Sequence, residues 1–344
     1  PVHLLPVLMA RLHRPLRLLG SLLAVLVVAE LVLRVLAPGL PEPVTWYHEI
    51  ADVKTEQMEQ HEGPLDLVFT GTSQSYHAID PELIDARLDT RSYNAGIPAG
   101  IPTVQRRWLF DAVLPNLEVD TVVWALSSVD LNAARPQEMA SVYESSFATR
   151  PGLLAQIDRW LHDRTALFRY RRTLVDPREL VRRDDPVSRA RSVVRPSGKR
   201  ESGGTNVTER ERARIRREVI GDYEVGGRMS RSIRETVAEL QARDVDVVFV
   251  VLPDAPRFVE LLPDPSLHER AVQELARLAE ELDVPLVDVS DGCSDDDFID
   301  FTHVDGDAGE RISERLAEVL HEAGFGSVRR AAENDFNMVL EARV

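Results

Sequence analysis

Five short runs of β-branched and other apolar residues recur along the chain, at Asp66–Thr70, Thr90–Tyr93, Thr121–Leu126, Val245–Leu252 and Pro285–Val289. Segments with helical apolar spacing lie between and after them, near Pro81–Leu88, Val104–Val113, Ser230–Ala242, Pro265–Leu282 and Asp307–Ala323. Strands this uniformly apolar are buried on both faces, which requires a parallel sheet covered by crossover helices. The spacing therefore predicts an α/β fold, a flavodoxin-like three-layer α/β/α doubly wound parallel sheet of about five strands. Its ligand crevice lies beyond the carboxyl ends of the strands. A chain of 344 residues with 44% hydrophobic content is long enough to bury such a core.

The N-terminal region follows a different rule. Arg11, His13, Arg14 and Arg17 precede a run from Leu18 to Ala37 that is nearly all Leu, Val and Ala. At 1.5 Å per residue, about twenty residues cross a bilayer core of roughly 30 Å. The preceding basic residues stay in the cytoplasm, so the bulk of the chain is expected outside. Glu30 and Arg34 interrupt the run at i and i+4, where they share a helical face near the interface. The competing reading is a cleaved signal peptide with Leu18–Ala29 as its apolar region, but no small-x-small cleavage site follows. Pro38, Pro41 and Pro43 end the helix in a stiff exit. The expected organisation is thus a basic segment, transmembrane helix and exit over residues 1–43, an α/β domain over 44–326 and a tail over 327–344. The chain opens on Pro1, so the natural start is expected upstream.

Residues 131–229 break the strand–helix rhythm and read as a helical insertion. Arginine crowds its middle, with the pairs Arg171-Arg172, Arg182-Arg183 and Arg216-Arg217. Acids at helical spacing favour a solvated, ion-paired surface, the alternative being a basic lid that meets an anionic polymer or lipid headgroups. Ser197 to Thr208 has the composition of a flexible segment. Asn206-Val207-Thr208 matches a glycosylation sequon by composition alone. With 57 acidic against 41 basic side chains and a net charge of −16, nucleic acid is not an expected partner. Among the basic residues only Lys54 and Lys199 are lysines, and Cys293 is the only cysteine, which excludes an intrachain disulfide and a cysteine-rich metal site.

Gly71-Thr72-Ser73-Gln74-Ser75 ends the first apolar run and enters a helix. Ser73 can cap that helix, or it can stand as a nucleophile at the strand tip. Serine needs a base within hydrogen-bond reach, and the base needs an acceptor that fixes its tautomer. Asp300-Phe301-Thr302-His303 offers both after the last strand, beside the acidic cluster Asp295-Asp296-Asp297. His77 is a rival base four residues after Ser73, and Asp254 stands at the same rim as a pocket wall or a turn former.

These segments resemble the SGNH, or GDSL-like, hydrolases. Gly71-Thr72-Ser73-Gln74-Ser75 is similar to their first block, which carries the nucleophile, and Asp300-Phe301-Thr302-His303 to their last. Tyr93-Asn94-Ala95-Gly96-Ile97-Pro98-Ala99-Gly100 resembles their second block, where a glycine N–H meets the oxyanion; here Gly100 or Ala99 would supply it, together with Ser73. In the third block Val129 occupies the place of the family's asparagine. A lost oxyanion donor costs roughly 3 kcal/mol of transition-state stabilisation. Asn132, or a hydroxyl of Ser127 or Ser128, is the candidate replacement.

The resemblance implies a catalytic triad of Ser73, His303 and Asp300, no cofactor and no metal. The membrane helix, the Gly-Thr-Ser-Gln-Ser start and the third block without its asparagine resemble the membrane-anchored branch of the family. That branch implies an extracytoplasmic esterase or O-acyltransferase acting on acyl esters of an envelope glycan or lipid-linked substrate, with a membrane-bound O-acyltransferase as partner. The alternative is a catalytically weak scaffold that keeps the fold and holds an envelope-modifying complex together.

Overall fold

The computed structural model describes residues 4–40, 48–98, 100–135, 153–171, 174, 185–201, 203–324, 330–334 and 337–340. The five expected strands are β1 (Leu65–Gly71), β2 (Ser92–Asn94), β3 (Val119–Leu126), β4 (Asp246–Val251) and β5 (Leu286–Asp288). They form one parallel sheet in the order β2-β1-β3-β4-β5. The order reverses at β1, so the crevice between the carboxyl ends of β1 and β3 is the topological switch point.

In chain order the helices are α1 (Leu4–Leu36), α2 (Glu49–Glu59), α3 (Ser73–Ala78), α4 (Pro81–Leu88), α5 (Pro102–Trp108), α6 (Leu153–Arg164), α7 (Ala166–Arg169), α8 (Pro186–Val193), α9 (Glu209–Arg214), α10 (Gly227–Gln241), α11 (Ser266–Leu282) and α12 (Gly306–Glu322). Strand side chains alternate between two cores. Val68, Val122, Trp124, Phe249 and Val251 meet Trp108, Ile233, Val237, Leu275 and Leu278 of α5, α10 and α11. Leu67, Phe69, Val123, Val248 and Val250 meet Ile84, Leu88, Ile312, Leu316 and Leu320 of α4 and α12. Each large side chain so buried contributes about 1.5–3 kcal/mol.

The stretch Arg17–Gly39, most of it in α1, is long and apolar enough to cross a membrane. The pair foreseen at Glu30 and Arg34 forms, with Nε 2.6 Å from the carboxylate. Its carboxylate also accepts the backbone N–H groups of Ala166 (2.9 Å) and Leu167 (2.8 Å) at the start of α7.

Two segments differ from the sequence-based expectation. α2 is an additional helix, and its apolar positions Ile50, Ala51, Val53 and Met58 are buried. The segment beginning at Ser197 is locked over its first residues rather than flexible. The Ser197 carbonyl accepts the Asn94 N–H at 2.9 Å, extending the β2 edge, and Lys199 Nζ is buried 2.9 Å from Asp80. Gly198 has φ +80°, and an added Cβ would lie 2.1 Å from the Asn94 carbonyl oxygen. The glycine that suggested flexibility is there because nothing larger fits.

Within the insertion, Arg191 pairs with Glu56, Arg195 with Asp80 and Glu201, Arg212 with Glu209, and Arg214 with Glu211. The ion-paired reading therefore holds for these arginines. Arg172, Arg182 and Arg183 lie outside the described residues. Residues Arg330–Asn334 and Asn337–Leu340 of the tail pair as antiparallel strands.

β1 ends at Gly71 with φ +148°, and an added Cβ would lie 2.4 Å from the Ala125 carbonyl oxygen of β3 and 2.9 Å from Ser75 Cβ. Gly71→Ala must therefore push β1 and β3 apart at the tip that carries Ser73. The substitution is expected to cost about 2–4 kcal/mol, read from denaturant unfolding.

Candidate active site

The turn after Gly71 assigns the cap and the nucleophile to different residues. The Thr72 hydroxyl accepts the Gln74 N–H at 3.1 Å and is the cap of α3. Ser73 is the first helical residue, and its hydroxyl does not cap. Its Oγ is 2.7 Å from His303 Nε2, and His303 Nδ1 is 2.7 Å from Asp300 Oδ2. The structure thus brings together the three residues foreseen as a triad, from opposite ends of the domain.

The loop carrying Asp300 and His303 is built locally. Phe298, Phe301 and Val304 are buried in the second core. The Ile299 N–H donates to the His303 carbonyl at 2.9 Å, and Phe298 bridges Val304. These anchors leave Asp300 and His303 on the side facing Ser73. The second carboxylate oxygen of Asp300, Oδ1, accepts the backbone N–H groups of Thr302 (2.8 Å) and His303 (2.9 Å). Burial pushes the Asp300 carboxyl up, but the hydrogen bond to His303, that residue's charge and the two N–H donors outweigh it and hold the group at about 2. The neighbouring acids have other partners. Asp295 meets Arg257, and Asp297 meets Ser294 and Arg311.

His77 does not serve as the base. Its ring lies 4.8 Å from the His303 ring, centroid to centroid. Its Nδ1 is buried with no hydrogen-bond partner among the described residues, so no carboxylate orients it. Burial, followed by the charges of His303 and Arg200, pushes His77 well below its ordinary value and keeps it neutral.

The oxyanion candidates separate clearly. Gly100 is buried ahead of α5, with its carbonyl held by the Gln105 side chain, which also reaches Asp130 at 3.2 Å. Ala99 lies outside the described residues. The Gly96 N–H is taken by Asn94 Oδ1 at 3.0 Å. Asn132 is corrected as a replacement donor: its amide N–H groups go to the carbonyls of Val219 and Ile220, both at 2.8 Å. Neither proton remains for a substrate. Val129 packs in the second core, as an apolar side chain in that place must. Ser127 donates to Gln74 Oε1 at 2.7 Å, which commits its proton. Ser128 Oγ is buried with no partner among the described residues. The Asp254 side chain is taken up by hydrogen bonds within the protein. It is buried, accepting the Ser128 N–H (3.1 Å) and the Gln74 amide (3.4 Å) and meeting His268 at 3.4 Å.

A basic wall that the motifs did not foretell stands behind α3. Tyr76 lies three residues after Ser73 on α3, and Arg200 Nη1 donates to its hydroxyl at 3.2 Å. Lys54 is fully buried, donates to the Asn94 carbonyl at 2.5 Å and lies 5.1 Å from the Tyr76 ring centroid. Burial pushes its ammonium well below the ordinary lysine value. A signal for this wall was present, since the two lysines of an arginine-rich chain are both buried. No group of three or more His, Cys, Asp or Glu side chains among the described residues could hold a metal ion.

No sequence-family model matches this chain, and no curated protein matches it. Solved structures with a similar chain path include a lipase/acylhydrolase from Enterococcus faecalis, with a TM-score of 0.38 and 10% identity over 81% of this chain and 100% of that one. A GDSL-like lipase from Bacteroides thetaiotaomicron gives 0.40 and 14% over 80% and 99% of the two chains. An aryl esterase from M. smegmatis gives 0.35 and 12% over 75% and 99%.

The state of His77 sets a pH dependence. Unfolded, its imidazole takes a proton near pH 6.5, whereas the folded site keeps it neutral to lower pH. The unfolded chain therefore binds the extra proton, and stability present above about pH 6.5 is lost as the pH falls. His77→Phe is expected to remove up to about 1.4 kcal/mol per pH unit from the acid slope of urea unfolding free energy.

Proposed function

We propose that this chain is a membrane-anchored, extracytoplasmic serine esterase or O-acyltransferase of the SGNH type. Its substrates are acyl esters of a cell-envelope polysaccharide or a related lipid-linked polymer. The observation that carries this reading is the continuous chain from Ser73 Oγ through His303 to Asp300, with both links at 2.7 Å. Ser73 Oγ attacks the ester carbonyl carbon while His303 Nε2 takes its proton, and Asp300 stabilises the imidazolium on the other nitrogen. The oxyanion of the tetrahedral intermediate is held by the N–H of Ser73 and that of Gly100 or Ala99. Collapse expels the alcohol, which receives the proton from His303 and leaves an acyl-Ser73 ester. Water or a sugar hydroxyl then gives its proton to His303 and attacks that ester; the acyl–Oγ bond breaks, the acid or new ester departs, and His303 returns the proton to Ser73 Oγ.

The span in α1 supports the anchor, and the basic residues before it support an outward-facing domain. A membrane-bound O-acyltransferase is the partner this reading assigns, as the source of acyl groups or the consumer of the freed alcohol. Val129 in the third block favours one other reading, a scaffold with weak chemistry, because an apolar side chain there cannot donate to the oxyanion.

A fluorophosphonate probe separates the two. The intact chain is expected to be labelled, Ser73→Ala to be unlabelled while retaining its melting temperature, and Asp300→Asn to lose about 10³–10⁴-fold in ester turnover. Absence of labelling in folded protein, under conditions where a control esterase reacts, removes the enzyme reading and leaves the scaffold.

A further inference from the structure

The elbow between α6 and α7 is attached to one end of the membrane span. Glu30 receives the first two N–H groups of α7, Arg34 donates to the Arg164 carbonyl at 2.5 Å, and the Tyr170 hydroxyl reaches the Ala37 carbonyl at 3.4 Å. Leu33 is 7% exposed, while neighbouring Leu31, Val32 and Val35 are 50–79% exposed. Counted from Arg17, about twenty residues fill the hydrocarbon core, so Ala37 falls at its outer boundary, with Arg34 about one turn and Glu30 about two turns inside it. The C-terminal end of α6, whose Arg164 carbonyl accepts from Arg34, therefore lies close to that boundary.

α6 carries an apolar face with no protein over it among the described residues. Leu153, Ile157 and Trp160, spaced i, i+4 and i+7, are 72%, 44% and 55% exposed. The Arg164 guanidinium lies 5.7 Å from the Trp160 ring centroid, at the end of the helix that meets the span. Tryptophan with a neighbouring arginine suits the interface, where the ring takes up lipid contact and the guanidinium stays with water and phosphate. A Leu-Ile-Trp face left in water forfeits several kcal/mol of transfer free energy, whereas a helix lying in the interface recovers it.

We propose that α6 is a second membrane contact, an amphipathic helix whose Leu153, Ile157 and Trp160 face enters the outer leaflet beside the span. The occupant is lipid because the elbow bonds this helix to the span, whose own Leu31, Val32 and Val35 are exposed apolar surface. This inference rests on the reading of α1 as an anchor. With it, the insertion that supplies Arg200 to the active-site wall is also held at the membrane surface.

The test uses the full chain reconstituted in phosphatidylcholine vesicles, with Trp160 fluorescence taken as the difference between the intact chain and Trp160→Phe. The chain has four tryptophans, of which Trp108 and Trp124 are fully buried. Trp160 is expected to be shielded from iodide and quenched at least about two-fold by lipids brominated near the headgroup end of the acyl chain. Emission that iodide quenches and bromolipid does not overturns the proposal in favour of a water-exposed helix. Emission that neither reaches overturns it in favour of a protein cover, such as a second copy. Alkaline carbonate washing of the same vesicles tests the anchor separately. A retained chain with unquenched Trp160 loses only the α6 contact, whereas a chain that washes off loses the anchor and the inference with it.

Discussion

One hydrogen bond, from Ser73 to His303, joins residues 230 positions apart, and the sheet order makes it possible. β5 lies at the far edge of the sheet, separated from β1 by β3 and β4. The loop after β5 must therefore travel back across the carboxyl ends of two strands to reach Ser73. It does so because α12, which follows at once, packs against α3 and α4 beside β1 rather than beside its own strand. The apolar face of α12, Ile312, Leu316 and Leu320, is thus what brings His303 to Ser73. The Ser73–His303–Asp300 geometry is a consequence of core packing some distance from the crevice.

Most of that frame was legible in the sequence for a physical reason. Buried parallel strands are apolar throughout and helices between them are periodic, so both signals survive without any partner in view. Strand limits moved by one or two residues, as β2 did in starting at Ser92 rather than Thr90, because a strand ends where its neighbour stops pairing. Ser73, Asp300 and His303 were legible because each sits in a local motif at a strand end. What the motif could not decide was whether Ser73 or Thr72 caps α3. That depends on the hydroxyl geometry of one turn, and the answer, Thr72, is what frees Ser73.

The remainder of the site depends on contacts between distant segments. Asn132 has the right chemistry for an oxyanion donor, but the carbonyls of Val219 and Ile220 claim it, and nothing near Asn132 in sequence announces them. Ser197 to Arg200 has the composition of a mobile loop and behaves as a fixed turn because the β2 edge needed a partner and Asp80 needed a cation. Composition reports what a segment does alone. Here the cation was Lys199 and the close approach was at Gly198, so the same residues that signal looseness in isolation build a buried contact between the insertion and the β2 edge.

The charges inside the span make the same point about cost. A carboxylate in an apolar run is unfavourable unless its oxygens are occupied, and a helix-spaced arginine supplies only one partner. Glu30 obtains two further donors, the N–H groups of Ala166 and Leu167, from a helix 136 and 137 residues away. Those N–H groups open a helix whose preceding residue, Thr165, makes no side-chain cap. Each side therefore satisfies the other: the span loses an unpaired oxygen pair and α7 gains the cap it lacks. An interaction that removes two separate penalties resists replacement by either partner alone. That gives a charged pair a place in a run otherwise built of Leu, Val and Ala, and it ties the insertion to α1.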